Sequence, residues 1–326
     1  MLTSKKIVLM YKGNKSIPDL IIERIKEGTP EGFSLYVCTN DTPVDERRAM
    51  IDGAKYLVNY SVPFEDFDKA GSLRFVQLLS AGADLLDLEH FKQLNIPVAN
   101  NGSVNAPTVA EHTILMMLSL LKKLPTHHNS MVNGEWLGHK YALELGELCS
   151  KRVGIIGFGN IGQRVARIVK AFGGEVVYTD RGPVDKSIEE EFNTQWLPLD
   201  ELLKTSDIIT LHMPLFESTR NMIDAEQFAM MKPTALLINT ARGPIVNQDA
   251  LINALKNHTI GGAGLDAYHT EPLPADDELR SLDNVILTPH MAGTSIDNWQ
   301  RRIDFAFDNI ESVEKGIRPN AIINNR

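Results

Sequence analysis

The stretch from Arg152 to Asp180, "RVGIIGFGNIGQRVARIVKAFGGEVVYTD", restricts the possible folds of this chain more than any other. A short apolar run ends in Gly157. Gly157, Gly159 and Gly162 then form G-x-G-x-x-G directly before a segment with helical spacing of apolar residues. In a strand–turn–helix unit the first glycine permits the tight turn and the second lets the backbone approach a pyrophosphate. The third lets the helix pack closely on the strand. The amides around Asn160 and Ile161 would face the phosphates at the positive end of the helix. Glycines in this spacing also serve ordinary turns, so the context decides. The next strand ends in Asp180, eighteen residues beyond Gly162, where a carboxylate would hold ribose hydroxyls. A dinucleotide site is therefore expected. The same carboxylate would repel a 2′-phosphate, which favours NAD(H) over NADP(H), with Arg181 beside it softening the preference.

The rest of the chain repeats the alternation of strand and helix. Strand-like runs are "KIVLMY", "SLYVCT", "KYLVNY", "RFVQLL" and "IPVAN", separated by "IPDLIIERIKEG", "PVDERRAMIDGA" and "DLLDLEHFKQLN" with helical periodicity. This reads as a parallel α/β sheet. A long helix is expected over 105–124, apolar on more than one face and wide enough around Met116–Met117 for a subunit contact as well as a core. Six further apolar runs from Arg152 onward describe a second, doubly wound domain. An amphipathic helix over 295–316 and the tail "RPNAIIN" could return to the first domain. At 326 residues two domains fit. A net charge of −9 argues against nucleic-acid or anionic-membrane partners, and no uncharged apolar run reaches the ~18 residues of a membrane span. Cys38 and Cys149 have no metal-like spacing, so neither a disulfide framework nor a metal is expected, and a reducing cytoplasm is the default.

Three polar residues end or follow three of the later strands. "ALLINTARGP" delivers Arg242, "GAGLDAYHTEP" delivers Asp266 and Glu271, and "NVILTPH" delivers His290. Ligands of open α/β sheets bind at the carboxyl ends of strands. A guanidinium there would grip the carboxylate of a 2-oxo acid and polarise its carbonyl. A histidinium would donate a proton to that carbonyl as hydride arrives from a nicotinamide, and a glutamate on the other ring nitrogen would favour its protonated form. Singly, the arginine could be a turn residue, the glutamate a solvated loop acid and the histidine a cap; together, within a dinucleotide fold, they point to a dehydrogenase. Other histidines read more plainly. His127 and His128 look solvated, and Glu111-His112 has no second ligand at i+4, which favours a structural or dimer-contact role over zinc.

Seven motifs in order, "SAGADLLD", "VAEHTILMML", "GIIGFGNIGQ", "LHMPLFESTRNMI", "INTARGPIVN", "GLDAYHTEPLP" and "LTPHMAGTS", resemble the NAD-dependent D-2-hydroxyacid dehydrogenases, the family of glyoxylate/hydroxypyruvate, phosphoglycerate and D-lactate dehydrogenases. The resemblance implies that Arg242, Glu271 and His290 are catalytic. It implies that Met213, Pro214 and Thr219 border the adenine side of the cofactor. Thr240 and Ala241 would offer backbone contacts near the nicotinamide ribose, and Asp266 would meet the carboxamide. The amides of Ser80, Ala81 and Gly82 would hold the substrate carboxylate. It further implies a Rossmann-type nucleotide domain, 104–291, inserted into a flavodoxin-like substrate domain of 1–103 and 292–326, with hinge closure between the two and a homodimer formed through the "VAEHTILMML" helix and the arm to Trp136.

Departures from the family narrow the substrate. Leu78 stands where phosphoglycerate-type members carry an arginine, and "NNGSVNAPT" replaces the tyrosine-bearing segment of D-lactate enzymes. Both favour a small unphosphorylated acid such as glyoxylate or hydroxypyruvate. Glu271 speaks against formate-type relatives, which carry glutamine. Phosphite-oxidising relatives keep all three catalytic residues, so the triad does not separate them. The C-terminal-binding-protein corepressors share the cofactor fold and act as NAD-responsive scaffolds, but this chain has no long disordered tail to recruit partners.

Overall fold

The structure, a computed structural model, describes residues 4–13 and 16–324. The chain divides into two compact units, Met1–Asn105 with Thr294–Arg326, and Ala106–Gly293. The first unit begins with β1 (Lys5–Tyr11), α1 (Asp19–Glu27), β2 (Phe33–Thr39), α2 (Val44–Ile51), β3 (Tyr56–Tyr60), β4 (Phe75–Leu78), α3 (Leu88–Gln93) and β5 (Val98–Ala99). The second holds α4 (Ala106–Leu121), α5 (Leu124–Val132), β6 (Arg152–Ile156), α6 (Asn160–Ala171), β7 (Glu175–Thr179), α7 (Lys186–Phe192), α8 (Leu199–Thr205) and β8 (Ile208–Leu211), followed by α9 (Ala225–Met230), β9 (Leu236–Asn239), α10 (Gln248–Lys256), β10 (Gly262–Leu265) and β11 (Val285–Leu287). The chain then returns to the first unit as α11 (Ile296–Glu314).

In the first unit five parallel strands run in the order β2-β1-β3-β4-β5, the flavodoxin-like order. Parallel strands covered by helices on both faces need apolar side chains on both, which is why these segments read as continuous apolar runs. Ile7 and Leu9 of β1 pack on one face with α1 and with Trp299, Ile303 and Phe307 of α11. Val8 and Met10 point to the other face, with Ile51 and Phe91. The tail does return to this unit: Ile322 bridges Ala99, and the buried Asn324 accepts from the Val98 amide at 2.9 Å and donates to the Ile96 carbonyl at 2.8 Å. A buried polar set ties β4 to α11 and the tail. Asn309 Nδ2 donates to Gln77 Oε1 at 2.8 Å, Gln77 Nε2 to the Asn100 carbonyl at 2.8 Å, and the Asn320 amide to Asn309 Oδ1 at 2.8 Å. Each of these polar atoms has a partner, so the set positions the chain after β5 rather than destabilising the core.

In the second unit six parallel strands run β11-β10-β9-β8-β6-β7. Trp196 makes a parallel bridge to Tyr178 of β7, a rudimentary further strand that completes the doubly wound nucleotide-binding order. The long helix expected over 105–124 is α4, Ala106–Leu121, and a separate short helix, α5, follows it. α4 stops at Leu121, Lys123 takes a left-handed φ of 47°, and α5 restarts with Pro125 in its first turn, where a missing N–H costs nothing. α11 starts as its sequence suggests: the Ser295 side chain caps it, accepting from the Asn298 amide at 3.1 Å.

The close approach of α6 to β6 rests on Gly162, where an added Cβ would lie 2.2 Å from the Gly157 carbonyl oxygen; at Gly159 an added Cβ meets nothing within 4 Å. Gly162→Ala should therefore lower the unfolding free energy by about 1–3 kcal/mol in urea titration. Gly159→Ala should cost no more than about 1 kcal/mol, the difference between glycine and alanine at a helix N-cap.

Candidate active site

All six strands of the second unit are parallel, so their carboxyl ends share one edge, and the expected site residues of this unit follow those ends. At the first, Gly157 has φ 94° and its α-carbon faces the backbone of residue 212; a Cβ there would lie 2.7 Å from the His212 carbonyl carbon. Only glycine fits. Phe158 turns inward, 2 % exposed, and stacks on Tyr178 with ring centroids 4.2 Å apart. Gln163 Nε2 donates to the Phe158 carbonyl at 3.0 Å. The open space at Gly159 and the start of α6 at Asn160–Ile161–Gly162 leave room for a pyrophosphate against the positive helix end.

Asp180 follows β7 and accepts from the Phe158 amide at 2.7 Å and the Arg181 amide at 2.8 Å. Those two bonds fix the carboxylate beside the glycine turn. After β8 come His212, Met213 and Pro214. Burial pushes the His212 imidazole down to about 3, so it is neutral, and its Nε2 lies 2.9 Å from Thr210 Oγ1. Thr219 Oγ1 accepts from the Phe216 amide at 2.7 Å and lies 3.0 Å from the Pro214 carbonyl, pinning the 214–219 loop. These residues fit a dinucleotide: a turn without a side chain, a helix start and a fixed acid at the next strand end.

β9 delivers Thr240, Ala241 and Arg242. Asn239, which was not singled out from the sequence, sets this turn. It is 1 % exposed, its Oδ1 accepts from the Ala241 amide at 3.0 Å and its Nδ2 donates to the Arg242 carbonyl at 2.9 Å. A polar residue closing the apolar run "ALLIN" is the signal that could have found it. Thr240 Oγ1 is 3.0 Å from Thr113 Oγ1 of α4. Arg242 Nη1 donates to the Ala241 carbonyl at 2.8 Å.

β10 and β11 deliver the acid and the imidazole. Glu271 Oε1 accepts from the Tyr268 amide at 3.0 Å, and Glu271 Oε2 lies 2.7 Å from His290 Nδ1. Hydrogen bonding to Glu271 raises the His290 pKa above its ordinary value against the opposing effect of burial; Asp266 adds to the rise and Arg242 opposes it. Burial alone would raise the Glu271 carboxyl, but its bonds to His290 and the Tyr268 amide, with the charges of His290 and Arg242, hold it below its usual value. Arg242 therefore lies near enough for its charge to act on both partners. His290 itself has φ 51°, a left-handed conformation unusual for a non-glycine residue. Tyr268, which carried no signal in the sequence, links the two strand ends: its hydroxyl lies 3.0 Å from the Leu265 carbonyl and 2.8 Å from that of Thr288. Asp266 is 1 % exposed and accepts from Thr288 Oγ1 at 2.6 Å, the Met291 amide at 2.8 Å and the Ala292 amide at 2.7 Å. A carboxylate has about four acceptor positions, and three are filled by these donors.

Ser80, Ala81 and Gly82 belong to the first unit, in the turn after β4. Ser80 Oγ donates to the Gly82 carbonyl at 2.8 Å, and Asn100 Nδ2 donates to the Ala81 carbonyl at 2.9 Å. Asn100, also unsuspected from the sequence, thus braces this turn. Among the described residues no cluster of metal-ligating side chains occurs, and no helix is long and apolar enough to cross a membrane.

Residues 114–292 match the family model described as D-isomer specific 2-hydroxyacid dehydrogenase, NAD binding domain. A glyoxylate reductase of Korarchaeum cryptofilum is 32 % identical over 317 residues, covering 95 % of this chain and 94 % of its own. A hydroxypyruvate reductase of Blautia hydrogenotrophica is 34 % identical over 297 residues, covering 88 % and 91 %. The crystal structure of D-lactate dehydrogenase from Aquifex aeolicus, complexed with NAD and lactic acid, superposes with a TM-score of 0.81 at 29 % identity, covering 95 % of this chain and 96 % of that one. The chain belongs to the D-isomer specific 2-hydroxyacid dehydrogenase family and is an NAD-dependent 2-hydroxyacid dehydrogenase.

Proposed function

We propose that this enzyme reduces a small unphosphorylated 2-oxo acid, of the glyoxylate or hydroxypyruvate class, to the D-2-hydroxy acid, with His290 as the proton donor. The observation that carries the reading is the 2.7 Å pair of His290 Nδ1 with Glu271 Oε2, under the electrostatic influence of Arg242. NADH, when bound, supplies the hydride. The Arg242 guanidinium binds the substrate carboxylate and draws electron density from the adjacent carbonyl. His290 holds its proton on Nε2 and gives it to the carbonyl oxygen; in the reverse direction the neutral ring takes it from the hydroxyl. Glu271 keeps the ring charged and fixes its plane. Asp180 selects NADH by repelling a 2′-phosphate. The turn at residues 80–82 is assigned the substrate carboxylate by likeness to the family.

We further propose that the enzyme is a homodimer in a reducing cytoplasm. The first part is supported by a run of exposed apolar side chains in the second unit, Leu115, Leu124, Met131, Val132, Trp136 and Leu143. The second is supported by two unpaired cysteines, one of them buried.

A panel of 2-oxo acids assayed by NADH oxidation tests the central reading, and no turnover with any of them would overturn it. His290→Ala should lower kcat by ~10²–10⁴ with NADH affinity, measured by fluorescence, nearly unchanged. Glu271→Gln should move the pH profiles in a defined direction. Glu271 raises the His290 pKa, and reduction needs the protonated ring, so activity falls as pH rises through that pKa. With glutamine the fall in kcat should occur at lower pH, while oxidation of the hydroxy acid should extend to lower pH. Asp180→Ala should shift the ratio of kcat/KM for NADH over NADPH toward NADPH by about tenfold, the loss of one charge repulsion at short range.

A further inference from the structure

His112 on α4 lies behind the turn that carries His290. Its Nε2 is 3.1 Å from Thr288 Oγ1 and 3.7 Å from Asp266 Oδ1, and its side chain is only 9 % exposed. The direction of these bonds follows from proton count. Thr288 has one hydroxyl proton, and it goes to Asp266 Oδ1 at 2.6 Å, since a carboxylate only accepts. Thr288 Oγ1 therefore accepts from His112, which must carry its proton on Nε2. Asp266 in turn holds the amides of Met291 and Ala292. The chain of bonds thus reaches residues on both sides of His290, at 288, 291 and 292.

His290 sits at the one point in that turn where the backbone is left-handed, φ 51°. Such a conformation is strained in a non-glycine residue and persists only where its surroundings over-determine it. Glu271 holds the ring; the Asp266 bonds hold the backbone. α4 packs against β10 and β11 and so offers a rigid platform for the last donor. We propose that His112 is a positioning residue for catalysis: by donating from Nε2 to Thr288 it locks Thr288 onto Asp266, and through Asp266 fixes the turn that aims His290. This rests on the assignment of His290 as proton donor.

The test uses the full enzyme and the 2-oxo acid that the panel identifies. His112→Leu removes the donor at similar volume, whereas His112→Gln offers an amide N–H at nearly the same place. The expected result is a fall in kcat of about ten- to hundredfold for His112→Leu, the usual cost of a small misplacement of a reacting group. NADH affinity should stay within about twofold, and His112→Gln should recover most of the lost kcat. Because the bond passes through the hydroxyl, His112→Leu should cost little more once Thr288→Val is present, a non-additivity read by a double-mutant cycle. An unchanged kcat in His112→Leu would overturn the proposal, as would a glutamine variant as slow as the leucine one, or losses that multiply in the double variant. If His112→Leu fails to fold, Thr288→Ser against Thr288→Val carries the same comparison, with serine expected to be active and valine slow; equal rates would overturn it. The His290 ring signals of the substrate-free enzyme, followed by NMR, separate this proposal from the reading of the reaction. They should shift in His112→Leu whatever acid the enzyme reduces, and unmoved signals would overturn the proposal even with the dehydrogenase assignment intact.

Discussion

The candidate site depends on one ion pair, His290 with Glu271, and on a backbone that keeps it at 2.7 Å at the edge of a parallel sheet. Neither partner alone is set up for its task. An isolated imidazole is mostly neutral at neutral pH, and a half-buried carboxyl tends to take up a proton. Together each holds the other charged: the carboxylate raises the imidazole and the imidazolium lowers the carboxyl. Arg242 acts on both, favouring the carboxylate and opposing the imidazolium, and Asp266 adds to the rise at His290, so the balance is not set by the pair alone.

That balance needs the three strand ends to be kept in register. The protein does this mostly with neutral side chains and backbone groups rather than with further ion pairs. Asn239 closes the turn that presents Arg242, Tyr268 joins the ends of β10 and β11, and Asp266 gathers the amides beyond His290. All three are nearly buried, where a satisfied hydrogen bond is stiff and an unsatisfied one is costly. The left-handed turn at His290 is stable because these bonds leave it no alternative. On the cofactor side the same economy holds: Gly157 admits the backbone of residue 212, Asp180 is oriented by two amides, and His212 is kept neutral by burial, so it adds no charge beside the glycine turn.

Much of this was legible in the sequence, because parallel strands buried on both faces must be apolar and the residues that end them must be polar where a ligand sits. The eleven strand segments, the glycine turn, Asp180 and the residues Arg242, Glu271 and His290 all stand out for that reason. α4 is legible as the apolar helix over 105–124, whereas α5, a short helix begun after the left-handed residue at Lys123, has no comparable pattern. The bridge at Trp196 is not legible either, because a single-residue bridge has no periodicity to detect.

The sequence by itself determined the class of fold and the NAD cofactor, and it singled out the residues proposed as reactive groups, since each follows from local pattern and from what a dinucleotide and a 2-oxo acid require chemically. Only the tertiary structure decided how those groups are held. Tyr268, Thr288 and His112 make bonds to residues 20, 22 and 176 positions away, and His112 reaches Thr288 from a helix at the start of its unit. Such pairings leave no trace in local spacing, because the sheet, not the chain, makes them neighbours.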